Sequence, residues 1–209
     1  MVQAALEAEE PDAQKPLLVF SDYRVVDEDL QPLSIKEKNL QVSAFHLEFN
    51  RLLVQNYVTG CTMMLNRPAW QALAGLPAET RKDPRILMHD WWAALYASAC
   101  GKIVHLPIRL MDYRQHSGNS VGAVDVRSMS YRIGKLRSGQ SKHSMQTYLD
   151  QAALFRCCYE NDLPEESLKV LDGFLDIPSR SKPGRIFRLW KGRYLKSDPV
   201  RILGQFFYI

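Results

Sequence analysis

Pro16-Leu17-Leu18-Val19-Phe20 is the stretch on which the fold turns. An unbroken apolar run of this length, ended by Ser21-Asp22-Tyr23, is the pattern of a strand buried on both faces, as strands of parallel sheets are. A half-buried strand would alternate instead. Such a strand needs a partner on each side. Three later segments qualify: 61–65, 102–106 and 109–113, the last two read as short strands broken by Pro107. Helical patterns lie between them, so the chain reads as α/β. Residues 1–12 read as the end of a helix, with Val2, Ala5 and Leu6 on one side and Pro11 as its stop. A buried strand so close to Met1 leads to the expectation that part of the complete fold lies upstream.

The length of 209 residues and the 46% hydrophobic content suit one good core with a small addition. The net charge of +4 is mild, but the cations are concentrated in 179–201, where acids are almost absent. Cys61, Cys100 and the adjacent Cys157 and Cys158 follow neither a disulfide rhythm nor a CxxC metal spacing. Reduced thiols and a cytoplasmic setting are expected. No cleavable leader pattern opens the chain, and no run of eighteen apolar residues occurs, so secretion and membrane spanning are not expected.

Working outward from the strand, Asp22 is placed at its carboxyl end, where open α/β sheets do their ligand chemistry. Residues 27–39 read as a polar loop turning at Gln31-Pro32. Phe45, Phe49, Leu52 and Leu53 give 45–55 a helical spacing that runs into Asn56-Tyr57-Val58-Thr59-Gly60-Cys61. Gly60 either makes a plain helix-to-strand turn or lets the backbone approach a ligand closely. Asn66-Arg67-Pro68 has the chemistry of a helix start, and Gly75 that of its end. His105, inside an apolar run, reads as a structural histidine. After 109–113 the chain becomes dense in donors: Tyr113-Arg114-Gln115-His116-Ser117-Gly118-Asn119-Ser120-Val121-Gly122. Arg114, His116 and Asn119 suit an anionic or hydroxylated ligand.

Met88-His89-Asp90-Trp91-Trp92 heads a helix over 91–100 that Gly101 closes. Asp90 then has two readings. It is an N-cap that satisfies free backbone amides, or it is a general base held beside two aromatics and a histidine.

Two further helices are expected over 144–160 and from Leu163-Pro164 to Phe174, packed as a helical appendage. The tail, Arg185-Ile186-Phe187-Arg188-Leu189-Trp190-Lys191 through Phe206-Phe207-Tyr208, mixes bulky apolar and cationic residues. It suits an anionic membrane surface, with aromatics inward and cations toward the headgroups, or else a core-facing helix with a basic outer face. Nucleic acid fits less well, since the cations are confined to the tail and no recognition motif accompanies them.

Four motifs in order carry a resemblance: Leu18-Val19-Phe20-Ser21-Asp22 with Val25-Val26-Asp27; Leu52-Leu53-Val54-Gln55-Asn56 with Val58-Thr59-Gly60-Cys61-Thr62-Met63-Met64; His89-Asp90-Trp91-Trp92; and Tyr113-Arg114-Gln115-His116 with Asn119-Ser120-Val121-Gly122. Together, over 16–123, they resemble the second half of a bacterial family-two glycosyltransferase of the rhamnosyltransferase-like type that assembles cell-surface polysaccharide and lipopolysaccharide. The resemblance implies the GT-A α/β fold and inverting transfer of a sugar from a nucleotide-sugar donor to a glycan or lipid-linked acceptor. It implies Asp90 as catalytic base, and Thr59, Gly60, His89, Trp91, Trp92, Arg114 and Asn119 as substrate-binding. His116 becomes a ligand to a divalent cation, Mn²⁺ or Mg²⁺.

The sequence departs from that family in one large respect. The nucleotide-binding half with its Asp-x-Asp pair, which in the family precedes the first strand, has no room here; Asp27-Glu28-Asp29 has the letters but follows the strand and reads as a loop. The expected fold is therefore a partial GT-A core over 16–140, after a helix remnant and linker over 1–15. A helical appendage with a basic aromatic tail follows over 141–209. Three roles compete: acceptor-and-base portion of a transferase, non-catalytic remnant that binds glycans or proteins, and peripheral module on the inner face of the cell membrane.

Overall fold

The computed structural model describes residues 14–33, 42–114 and 140–209. The helix read over 1–12 and the segment holding His116 and Asn119 lie outside the described residues. The rest is a mixed α/β arrangement around a small three-stranded sheet. Its central strand is β1 (Leu17–Val26), flanked by antiparallel β2 (Met63–Leu65) and parallel β3 (Lys102–Arg114). Leu17, Leu18, Val19 and Phe20 are all buried, as the unbroken apolar run requires. Leu18 and Phe20 enter the main core, and Leu17 and Val19 pack on the other face with Val104 and Leu106. Because β1 finds both neighbours in later residues, its place near Met1 carries no inference about strands upstream.

Several expectations are corrected. Residues 102–114 form one strand, not two. Pro107 and Ile108 are extra residues between the pairs Ser21↔Leu106 and Asp22↔Arg109, so the residue without an N–H falls in an irregularity where no ladder bond is needed. Asp22 accordingly lies inside β1 at this bulge rather than at its end, bonded to His105 (Oδ1 to Nε2, 2.8 Å). His105 also stacks on Phe20, ring centres 4.8 Å apart, so it has the structural role read from its sequence. The pattern over 45–55 is not one helix. A 3-10 turn (Ala44–Leu47) is followed by α1 (Phe49–Leu52), and extended Glu48 breaks the two apart. Likewise 61–65 divides into a 3-10 turn (Gly60–Thr62) and β2.

The loop after β1 turns tightly. Asp27 Oδ1 accepts from the amides of Asp29 and Gln31, the local side-chain bonding that makes Asp a turn residue, and Val26 bridges Pro32. The Asp27-Glu28-Asp29 triplet thus has a structural occupation. Helix α2 (Arg67–Ala74) starts as its sequence implies: the Asn66 side chain accepts from the Ala69 amide, with proline in the first turn. Asn66 also accepts from Leu17 N–H and donates to Lys15 O, which ties α2 to the start of β1. A short α3 (Ala78–Arg81) follows.

Helix α4 (His89–Cys100) is the axis of the core. Nine of its twelve residues are buried, so it is a helix covered on every side, with the sheet on one flank and helices on the other. Those helices are α1, α5 (Gln140–Tyr159) and α6 (Glu165–Leu175). A 3-10 turn (Ile177–Ser179) leads to α7 (Lys182–Lys191) and α8 (Pro199–Tyr208). One apolar cluster runs from Leu18 through Trp92 and Phe155 to Leu189 and Tyr194, so the helices after Gln140 share the core of the sheet. Among the described residues no helix is long and apolar enough to cross a membrane.

Burial around α4 keeps several weak acids protonated. Burial first and then Asp162 push the Cys100 thiol from 9.0 up to about 11. Burial pushes Tyr96 from 10.0 to about 12 and Tyr194 likewise, and raises Tyr159. An unfolded chain releases these protons at ordinary values, so above pH 9 it binds fewer protons than the folded protein, and stability falls as pH rises. Their contribution is complete below pH 9 and is lost progressively as pH climbs toward 11 and 12. Urea midpoints measured from pH 8 upward are expected to decline from about pH 9, and Cys100→Ala to flatten the first part of that decline.

Candidate active site at the head of the central helix

Asp90 is 3% exposed, and its carboxylate is bound on both oxygens. Oδ1 accepts from its neighbour's amide, Trp91 N at 2.6 Å, and from Asn56 Nδ2 at 3.0 Å. Oδ2 accepts from Gly60 N at 2.8 Å. The N-cap of α4 is extended Met88, and Asp90 is the second helical residue. The N-cap reading is therefore corrected in position only: the carboxylate takes up one first-turn amide, that of Trp91, and also ties the loop 56–60 to the helix. Asn56 holds that loop from within, accepting from Val58 N and donating to Val58 O while it reaches Asp90.

Gly60 is where the loop and the helix come closest. A Cβ at this residue would stand 2.4 Å from His89 Nε2 and 3.4 Å from Asp90 Oδ2. Gly60 opens the 3-10 turn that leads into β2, and the space a side chain would need is filled by His89 and Asp90, so a glycine is required there by the chain's own packing. His89 is exposed above this point and Asp90 is beneath it. Thr59 contributes its carbonyl to the next turn, accepting from Thr62 N–H and O–H. Cys61, exposed at the same rim, has its thiol raised by burial and by the negative charge of Asp90.

A carboxylate offers about four lone-pair positions. Three donors occupy this one, two on Oδ1 and one on Oδ2, so the anion is held in a fixed orientation next to exposed His89.

Trp91 and Trp92 are both core residues, 6% and 3% exposed. Trp91 Nε1 donates to Leu52 O at 2.6 Å, and Trp92 Nε1 donates to Tyr159 Oη at 3.3 Å, so each indole has its polar atom satisfied inside. The substrate-binding role that the resemblance implies for them finds no open ring face here. Because α4 is packed on every side, both rings after the acid are used for packing. Arg114 ends β3 opposite Val26, the last residue of β1. His89, Asp90 and Gly60 converge at the head of α4.

Among the described residues no group of three or more His, Cys, Asp or Glu side chains is placed to hold a metal ion. Sequence reasoning missed the bond from Asn56 to Asp90 and the position of Cys61. A turn-forming Asn two residues before Val58 was legible as a local signal, but its partner 34 residues on was not.

Asp90→Asn tests how much of this arrangement depends on charge. An amide keeps the shape, yet its NH₂ must face either Gly60 N–H or the pair Trp91 N–H and Asn56 NH₂, a donor against donors in both orientations. A loss of about 1–3 kcal/mol in urea unfolding is expected, with the fold retained. Comparison of the chain with protein-family models, with curated proteins and with solved structures finds no match.

Proposed function

We propose that this chain provides the acceptor-binding and base portion of an inverting glycosyltransferase of the GT-A type. In this reading a sugar, rhamnose by the resemblance, passes from a nucleotide-sugar to a glycan or lipid-linked acceptor. The observation that supports it is the carboxylate of Asp90, held by Asn56, Gly60 and Trp91 at the head of the central helix next to exposed His89. Displacement at an anomeric carbon requires the acceptor hydroxyl to lose its proton as it attacks, and a fixed carboxylate within hydrogen-bond reach accepts it. Asn56 and Gly60 N–H hold the carboxylate in place, so that its orientation is set before the acceptor arrives. His89 turns aside to admit the acceptor, while Trp91 and Trp92 anchor the helix that carries the base. The cluster lies beside β1, since the turn that starts at Gly60 contacts that strand, and this suits the α/β sheet of such an enzyme.

The divalent cation of this chemistry neutralises the leaving diphosphate. The described residues supply no set of ligands for it, and His116, Arg114 and Asn119 enter only by the resemblance. An Asp-x-Asp half outside the described residues would hold the cation and the donor. The burial of Asp90 favours a second reading, a remnant without catalysis that binds glycans or protein partners.

Titration calorimetry of dTDP and UDP, with and without Mn²⁺, separates these readings when combined with NMR of the His89 ring during addition of simple saccharides. The transferase reading expects metal-dependent nucleotide binding, weakened by His116→Ala and spared by Asp90→Asn, with sugar transfer abolished by Asp90→Asn. Saccharide-induced shifts at His89 without nucleotide binding are the signature of the non-catalytic remnant. Folded protein that binds neither nucleotide nor saccharide overturns both.

A further inference from the structure

The head of α7 and the end of α8 meet at one contact: Lys182 lies 5.5 Å from the ring centre of Phe207. Buried Leu189, Gly204 and Gln205 face inward. The outward side is unusually apolar. Phe187 is 57% exposed, Trp190 64%, Leu203 68% and Phe207 67%, in two pairs at helical spacings of three and four. Beside them Lys182, Pro183, Ile186, Phe187 and Trp190 line an open hollow of about 560 Å³. So much exposed aromatic area on two neighbouring helices marks an interaction surface rather than scattered apolar residues.

The cations indicate the partner. Between Ser179 and Arg201 the sequence has eight Lys and Arg residues and one acid, Asp198. Several are occupied. Arg180 pairs with Asp176, Arg185 donates to the carbonyls of Pro178 and Arg180, Arg188 to that of Gly173, and Arg193 reaches Glu48. Lys182 and Lys191 are different: both are exposed at the ends of α7, and their contacts are the faces of exposed rings, Phe207 and Phe187. Lysines at the border of an apolar aromatic face are matched by anionic headgroups above acyl chains.

We propose that the outer face of α7 and α8 docks on an anionic lipid surface, with Phe187, Trp190, Leu203 and Phe207 entering the interface and Lys182 and Lys191 meeting the phosphates. This does not depend on the sugar-transfer reading. Phe187 and Trp190 provide area, and the lysines provide preference for negative charge, so binding requires both.

The test is cosedimentation of the full chain with phosphatidylcholine vesicles with and without phosphatidylglycerol, alongside the pairs Phe187→Ser with Trp190→Ser and Lys182→Gln with Lys191→Gln. All four side chains are exposed, and urea midpoints check that each variant keeps its fold. Expected is binding to anionic vesicles only, weakened about tenfold or more by either pair, and lost between about 0.1 M and 1 M salt as screening shortens from about 10 Å to 3 Å. Brominated acyl chains should quench the bound protein's fluorescence, and Trp190→Phe should remove that quenching. Equal binding to neutral vesicles, or binding that survives both pairs of substitutions, overturns the proposal. So does self-association abolished by the aromatic pair in a protein that ignores vesicles, which assigns the face to a second copy.

Discussion

Gly101→Ala is expected to cost at least about 3 kcal/mol of stability, at or beyond the upper end of overpacking effects, because the new methyl group meets backbone. A Cβ at Gly101 would lie 1.8 Å from Pro16 O and 2.7 Å from its carbonyl carbon. That carbonyl also accepts from Lys102 N–H at 3.0 Å, and Leu17↔Lys102 is the first pair of β1 with β3. No rotamer relieves the contact, so the two strands must separate where their pairing begins. Gly184→Ala is the control. It lies in α7, a Cβ there meets side chains at 3.3 Å or more, and a gain of up to about 1 kcal/mol is expected from helix propensity. Urea unfolding of the two variants should move in opposite directions. Comparable small effects would mean that the β1–β3 pairing does not begin at Pro16.

Phe155→Ala is expected to remove about 3–5 kcal/mol. The ring is fully buried and touches an aromatic from each surrounding element: Phe49 of α1 at 5.9 Å, Trp92 of α4 at 5.3 Å and Tyr159 of its own helix at 5.0 Å. Removing it leaves a cavity bounded by side chains that bond elsewhere. Trp92 is bonded to Tyr159, and Phe49 lies in a short helix held at Glu48, so collapse around the gap is limited. The near-ultraviolet circular dichroism of Trp92 should weaken in the same variant. Phe187→Ala, on the exposed face of α7, should stay within about 0.5 kcal/mol of the parent. A small loss at Phe155 would show that α5 is not needed to complete the core.

The elements legible in the sequence were those whose signal is local. Leu17 to Phe20 declare a buried strand by their unbroken apolarity, and Asn66-Arg67-Pro68 declare a helix start by capping chemistry alone. The errors come from partners distant in sequence. Pro107 read as a strand break, but pairing with β1 carries the strand past it by placing it in a bulge. Asp90 read as a cap or a base; it does take up the Trp91 amide, but its partners Asn56 and Gly60, far away in sequence, were not legible. Trp91 and Trp92 were assigned to substrate through the resemblance, and nothing in the sequence shows that helices cover α4 on the side away from the sheet and bury both indoles. Convergence of Gly60, His89 and Asp90 was accessible only through the order of four motifs, and spacing alone does not reach it.

The sheet's connectivity has a consequence for how the chain is made. Its middle strand emerges from the ribosome well before either neighbour: Leu17 finds Lys102 only after about 85 further residues have been added. At synthesis rates of about 5–20 residues per second, that interval is roughly 4–17 s. Throughout it the uncharged apolar stretch Pro16 to Phe20 has no parallel partner to cover it. Slow translation through 66–101 prolongs that exposure, so yield in cells should respond to how quickly this middle section is read and to holdase chaperones that bind nascent chains. The same strand that makes the finished core dry makes the half-made chain adhesive.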